Sequence, residues 1–138
     1  MRILGLDFGT KTIGVALSDE LTITAQTLTS ISRTTLKRDL ETLQQLIREH
    51  GVDEVVIGMP VNMDGSRGPA AEAVADFIER LKSLTDIKII PWDERLTTVA
   101  AERILLEGDL SRRKRRRVID RLSAAIILQG YLDSRPKS

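Results

Sequence analysis

None of the 138 residues is a cysteine. Disulfides, thiolate zinc sites, iron–sulfur clusters and thiol nucleophiles are therefore excluded, and a reducing compartment fits. Histidine is almost as scarce. His50 is the single one, and it precedes Gly51 at the end of a helical pattern, where an imidazole commonly satisfies terminal carbonyls. Nothing around it forms a nucleophilic triad. An enzyme made from this chain must draw its acid–base or metal chemistry mainly from carboxylates, of which there are 20. The aromatics Phe8, Phe77, Trp92 and Tyr131 are too scattered to build a base-stacking platform. Apolar runs are short, as at 55–57 and 124–128, far below the ~18 residues that span a bilayer. The opening residues already read as a strand, leaving no basic segment and apolar stretch for a secretory signal, so the cytoplasm is the expected location.

What is present is segregated charge. The formal net charge is only +1, but Arg112, Arg113, Lys114, Arg115, Arg116 and Arg117 are consecutive cations. Without these six, 15 basic residues face 20 acidic ones, a balance of −5. A block of like charge is often only a solvated face. Placed beside an anionic backbone, it would bind nucleic acid through phosphates.

The pattern of the chain predicts three strands, then alternating helices and strands. Residues 2–8 and 12–17 alternate around a Gly9-Thr10 turn, and 21–31 are rich in Thr, Ile and Leu. Leu36, Leu40, Leu43 and Ile47 fall at helical spacing after Thr34 or Thr35. Residues 52–58 contain Val55-Val56-Ile57, typical of a strand buried on both faces. An irregular stretch over 59–69 is dense in Pro, Gly, Asn and Asp. A second helix over 70–83 is expected to bury Ala70, Val74, Phe77 and Leu81, with Pro69 in its first turn. A fifth strand over 87–91 follows, then a third helix over 97–107 and a fourth from 111 to about 133. Three antiparallel strands followed by two right-handed crossovers give an α/β domain with a five-stranded mixed sheet in order 3-2-1-4-5 and helices on both faces. One domain is expected over 1–135, with 136–138 a loose tail.

That order places the first and fourth strands side by side with connections leaving in opposite directions, the switch point where ligands gather at the carboxyl ends of strands. Asp7 lies at this end of the first strand, and Asp93 and Glu94 at the same end of the fifth. Asp120, early in the last helix, begins a stripe through Ser123, Ala124, Ile127 and Tyr131. Carboxylates gathered in this way raise one another's pKa unless a cation is present. Oxygen ligands without Cys or His favour Mg²⁺ or Mn²⁺. Two such ions ~4 Å apart can activate water and stabilise both oxygens of a phosphodiester displacement.

Four segments together carry a family resemblance: residues 7–16 (Asp-Phe-Gly-Thr-Lys-Thr-Ile-Gly-Val-Ala), Gly58-Met59-Pro60 with Asn62-Met63-Asp64-Gly65, Asp93-Glu94-Arg95-Leu96-Thr97-Thr98, and Asp120 followed by Ala124-Ala125-Ile126-Ile127-Leu128. In this order and spacing they resemble the YqgF/RuvX family over essentially the whole chain. The resemblance implies an RNase H-like fold and a bacterial nuclease, described either as a Holliday-junction resolvase or as maturing the precursor of 16S rRNA. It implies an acidic catalytic and metal-binding triad of Asp7, Glu94 and Asp120, with Asp93 as the alternative to Glu94. The longer arm of Glu94 suits a reach from a neighbouring strand, and Asp93 suits a helix cap. Water attack leaving a 5′-phosphate is likewise what the resemblance implies. Thr12 and Ser123 stand where the family commonly has Arg and Ala, and the first removes a phosphate contact.

Alone, Asp7 would be read as a residue that begins a turn; its convergence with two other acids favours a working site. The candidates for nucleic-acid binding are Lys11, Asn62, Arg67, Arg95 and the six cations at 112–117. A solvated lysine and a structural ion pair are equal readings for Lys11 and Arg95. The expected partner is precursor rRNA or branched DNA, not a membrane, with the chain a monomer or a homodimer. Two rival functions remain. One is a noncatalytic RNA-binding ribosome-assembly factor using the same basic run. The other is a nucleotide-binding phosphotransferase, because Asp7-Phe8-Gly9-Thr10 also resembles the phosphate turn of the actin and heat-shock chaperone superfamily; such proteins pair two halves, and this chain has the length of one.

Overall fold

The computed structural model describes residues 1–62, 64–94 and 112–135, the last segment with side chains from 122 onward. Three strands, β1 (Arg2–Phe8), β2 (Thr12–Ser18) and β3 (Ala25–Ser32), are followed by α1 (Leu36–Glu49), β4 (Val52–Met59), α2 (Pro69–Lys82), β5 (Lys88–Asp93) and α3 (Arg112–Ser134). The helix expected over 97–107 and the tail 136–138 lie outside the described residues. The sheet order is β3-β2-β1-β4-β5, with β1–β2 and β2–β3 antiparallel and β1–β4 and β4–β5 parallel. This is the topology that the sequence pattern predicts.

Several boundaries differ for local reasons. β3 begins at Ala25 rather than 21, because Asp19 Oδ1 accepts from the backbone N–H groups of Ile23 (2.7 Å) and Thr24 (3.0 Å) and folds 19–24 into a turn. Thr35 caps α1 by accepting from the Arg38 N–H at 3.2 Å. His50 closes that helix with its backbone N–H, which donates to the Leu46 carbonyl at 3.1 Å; the main chain makes this cap. In α2 the buried stripe is Ala71, Val74, Phe77, Ile78 and Leu81. Ala70, expected in the core, is exposed: the helical phase that buries Val74 and Leu81 selects its neighbour.

The sheet separates two apolar layers. On one face Leu4, Leu6, Ile13, Val15, Val55 and Ile57 pack with Leu40, Leu43 and Ile47 of α1 and with Val74, Phe77 and Leu81 of α2. On the other, Ile3, Ala16 and Val56 meet Ala124, Ile127, Leu128 and Leu132 of α3. Successive strand residues alternate between these layers. Close approach of α3 depends on Gly5: a Cβ there would stand 2.7 Å from Leu128 Cβ and 3.0 Å from the Ala124 carbonyl oxygen. The far end of α3 is held by Gln129, which accepts from the Ala25 N–H at 2.9 Å and donates to the Ile23 carbonyl at 3.0 Å. An Arg135–Glu54 ion pair at 3.6 Å adds a second hold.

Candidate active site

β1, β4 and β5 run parallel, so their carboxyl ends deliver Asp7, the 60–68 loop and the Asp93-Glu94 pair to one edge. Alternation decides which face each side chain takes. Asp7 follows Ile3 and Gly5 onto the α3 face; a Cβ at Gly14, its register partner on β2, would lie 3.6 Å from both Asp7 Cβ and Ala124 Cβ. On β5, Ile89 joins the α1–α2 layer, whereas Ile90 and Trp92 pack in the α3 layer. Glu94 continues the second set. Its backbone N–H donates to the Met59 carbonyl at 3.4 Å, extending the β4–β5 pairing by one step.

Gly58, the register partner of Trp92 on β4, leaves the space that the Glu94 carboxylate uses. A Cβ at Gly58 would stand 2.5 Å from Glu94 Oε2 and 2.6 Å from Ile127 Cδ1. Any larger residue would compete with the acid for this position.

The electrostatics agree with the geometry. Burial pushes the Glu94 carboxyl up to about 7, and the negative charges of Asp7 and then Asp93 add to the rise. A carboxyl poised there ionises readily when a cation approaches and is otherwise largely protonated below neutrality. Asp93 is exposed, and alternation turns it away from Asp7.

Of the other candidates, Lys11 is exposed in the β1–β2 turn directly after Asp7. Asn62 and Arg67 flank a closed hairpin turn. Val61 and Arg67 form an isolated bridge, the Asn62 N–H donates to the Ser66 carbonyl at 2.8 Å, and Asn62 Nδ2 donates to Ser66 Oγ at 3.0 Å. Asp120 belongs to α3, one turn ahead of Ala124; its side chain, those of the six cations at 112–117, and the whole of Arg95 lie outside the described residues.

Two residues near this edge escape the sequence reading, Arg33 and Asp39. Asp39 is 1% exposed and falls on the apolar stripe of α1, between Leu36 and Leu40. A carboxylate in that phase is the signal that could have revealed it, because a buried charge requires a partner.

A mixed sheet of this order, with helices on both faces and acids at its switch point, has the RNase H-like architecture. Solved structures share it. The fowlpox virus Holliday junction resolvase superposes with a TM-score of 0.57 at 15% identity, covering 98% of this chain and all of that one. Thermus thermophilus RuvC, solved in complex with a Holliday junction substrate, gives 0.53 at 10% identity over 73% of this chain and 69% of that chain. The fold is therefore of the RNase H-like class. Within it, the chain belongs to the family described as RuvX, Holliday junction resolvase, whose family model matches residues 1–134. Full-length relatives include a protein of Carboxydothermus hydrogenoformans, 57% identical over 100% of both chains. Another, from Moorella thermoacetica, is 60% identical over 96% of this chain and 95% of its own. Both carry the name "Putative pre-16S rRNA nuclease".

Proposed function

We propose that this nuclease is a divalent-cation-dependent endonuclease that hydrolyses phosphodiester bonds of structured nucleic acid, acting as one domain over 1–135 in the cytoplasm. The observation that carries this reading is the convergence of Asp7 on β1 and Glu94, one residue past β5, on one sheet face, where burial and then the charge of Asp7 raise Glu94 to about 7. An all-oxygen donor set with clustered negative charge fits Mg²⁺ or Mn²⁺. Asp7 and Glu94 would hold the cation together with Asp120, which α3 supplies from the turn ahead of Ala124. When bound, such a cation supplies water activation and stabilisation of the attacking and leaving oxygens in an in-line displacement that leaves a 5′-phosphate.

The chain's own residues prepare that chemistry. β1 carries Asp7, and the Met59 carbonyl ties Glu94 to β4 one residue past β5, so both acids are held at the sheet edge. Gly58 and the Met59 carbonyl set the depth and direction of Glu94. Lys11, at the turn beside Asp7, and the cations at 112–117 would bind the phosphate backbone and orient it, with Asn62, Arg67 and Arg95 at the rim. These contacts carry little sequence information, so the substrate is selected largely by shape.

Precursor 16S rRNA is the favoured substrate class, because full-length relatives above 50% identity bear that name. The family description favours a second substrate, a four-way DNA junction, which a homodimer would cut symmetrically. The decisive experiment incubates the protein and its Asp7→Asn variant with Mn²⁺ and, separately, precursor rRNA, a four-way junction and linear duplex. Cleavage of precursor rRNA by the parent and not by the variant, with binding retained, is expected. Cleavage of the junction alone selects the second substrate, and equal cleavage by Asp7→Asn overturns the acidic site.

A further inference from the structure

Arg33, one residue beyond β3, touches the segment after Asp7 in three ways. Its guanidinium lies over the Phe8 ring, 4.3 Å from the centroid. Its Nη1 donates to the Gly9 carbonyl at 3.1 Å. Its backbone N–H donates to the Lys11 carbonyl at 2.9 Å. One residue thus grips Phe8, Gly9 and Lys11, while the turn is closed internally by the Gly9 N–H on the Thr12 carbonyl at 2.9 Å.

Arg33 is itself held. Asp39 Oδ2 lies 3.6 Å from its Nε, with the Asp39 side chain only 2% exposed. The other oxygen, Oδ1, accepts from the Thr34 N–H at 3.2 Å. The Phe8 ring in turn rests on Phe77 of α2, at 4.5 Å between centroids. A planar guanidinium serves a ring face, a carbonyl and a carboxylate together, which a lysine ammonium does not. Phe8 belongs to the α1–α2 layer and Asp7 to the α3 layer, so Arg33 acts from across the sheet and not on the reacting atoms.

We propose that Arg33 is a positioning residue for the acidic site: anchored by Asp39, it fixes residues 8–11 and so presents Asp7 and Lys11 in a set direction at the carboxyl edge. The proposal rests on the reading of Asp7 as a working carboxylate. Displacement of a reacting group by about an ångström lowers turnover by about 100-fold, so the hold on the turn is worth measuring in kinetics as well as stability.

The test compares Arg33→Met, Arg33→Lys and a control, Arg135→Met, which breaks a similar part-buried ion pair at the amino end of β4. Three quantities are read: melting temperature, amide exchange at Gly9, and Mn²⁺-supported cleavage of the substrate that the parent cuts. Arg33→Met should lower kcat by about 10- to 100-fold with KM within about twofold. It should also speed Gly9 exchange by about tenfold or more, while the amides of Leu4 and Val15 in the sheet remain protected. Arg135→Met should lose comparable melting temperature yet keep parental kcat and Gly9 exchange. If Arg33→Met does not fold, Arg33→Lys decides, with the same pattern at smaller amplitude. Parental kcat or parental Gly9 exchange in a folded Arg33 variant overturns the proposal. Asp7→Asn, run alongside, separates the two failures. Loss of cleavage in that variant with parental kcat in Arg33→Met sinks the positioning role alone; full cleavage by Asp7→Asn sinks both.

Discussion

Gly58 lies directly against the carboxylate of Glu94: a Cβ built on Gly58 would come within 2.5 Å of Oε2. The sheet therefore carries a notch one residue wide, and the acid occupies it. Gly58→Ala must push aside both the Glu94 carboxylate and the end of Ile127, which is only 2.6 Å away. Cleavage should fall about 10- to 100-fold, as for a misplaced ligand, with a stability loss of only about 1 kcal/mol, because both displaced atoms end flexible side chains. Steady-state kinetics and denaturant melts on one preparation check both. Parental turnover in a folded variant would show that Glu94 needs no such notch.

The pH dependence of stability has a defined sign. In the unfolded chain Glu94 titrates near 4.5, whereas in the fold it titrates at about 7. The native state therefore holds the extra proton between these values. The Glu94 contribution is fully present below about pH 4.5, declines as pH rises, and is lost above about 7. Because solvent reaches part of the carboxyl, its size should be about 1–2 kcal/mol rather than the full linkage value. In EDTA, the stability difference between the parent and Glu94→Gln should follow this curve. At pH 8, Mn²⁺ should raise the melting temperature of the parent well above any effect on Glu94→Gln.

Gly5 governs a different property. A methyl group there meets Leu128 Cβ at 2.7 Å and the Ala124 carbonyl oxygen at 3.0 Å, neither of which is the end of a flexible chain. Gly5→Ala should therefore destabilise by about 2–3 kcal/mol and shift α3 outward, carrying Asp120 with it. Thermal melts should show the loss. Weaker Mn²⁺ binding by calorimetry should accompany it, and an unchanged Mn²⁺ affinity would remove Asp120 from the cation site.

Binding should be strongly salt-dependent. About four phosphate contacts, three from the run at 112–117 and one from Lys11 or Arg95, give a log–log salt slope of about −3 to −4 on duplex DNA. Replacing all six cations by glutamine should reduce it to about −1. Fluorescence anisotropy over a range of KCl concentrations measures both, and an unaltered slope would place the basic run away from the bound backbone.

Much of this architecture is legible in the chain because its signals are periodic. The buried Val55-Val56-Ile57 run marks a central parallel strand, and the spacing of Leu36, Leu40, Leu43 and Ile47 marks α1. Strand order then follows from connection rules, and with it the convergence of Asp7 and Glu94. Which of Asp93 and Glu94 faces Asp7 was also within reach: counting by twos from Ile90 leads to Glu94 and not to Asp93. Arg33 was not legible. Its role depends on the Phe8 ring and Gly9 carbonyl of one segment and the Asp39 carboxylate of another, and of these only Asp39, a charge on an apolar helical stripe, leaves a local trace. Nor does spacing alone show how tightly α3 approaches, because Gly5 reads as an ordinary interruption of a strand until the atoms opposite it are known.

The alternation that turns Glu94 toward Asp7 and its neighbour Asp93 away has a consequence for how such a site can change. Substitutions along β5 leave the direction of the carboxylate untouched, so the strand can drift in composition with little effect on chemistry. Loss or gain of one residue between Ile90 and Glu94 inverts the order of faces, swinging the acid to the α1–α2 side of the sheet and bringing its predecessor round in its place. The reading frame of this short strand, more than the identity of its members, guards the site, and length variation should be tolerated in the loop over 60–68 long before it is tolerated here.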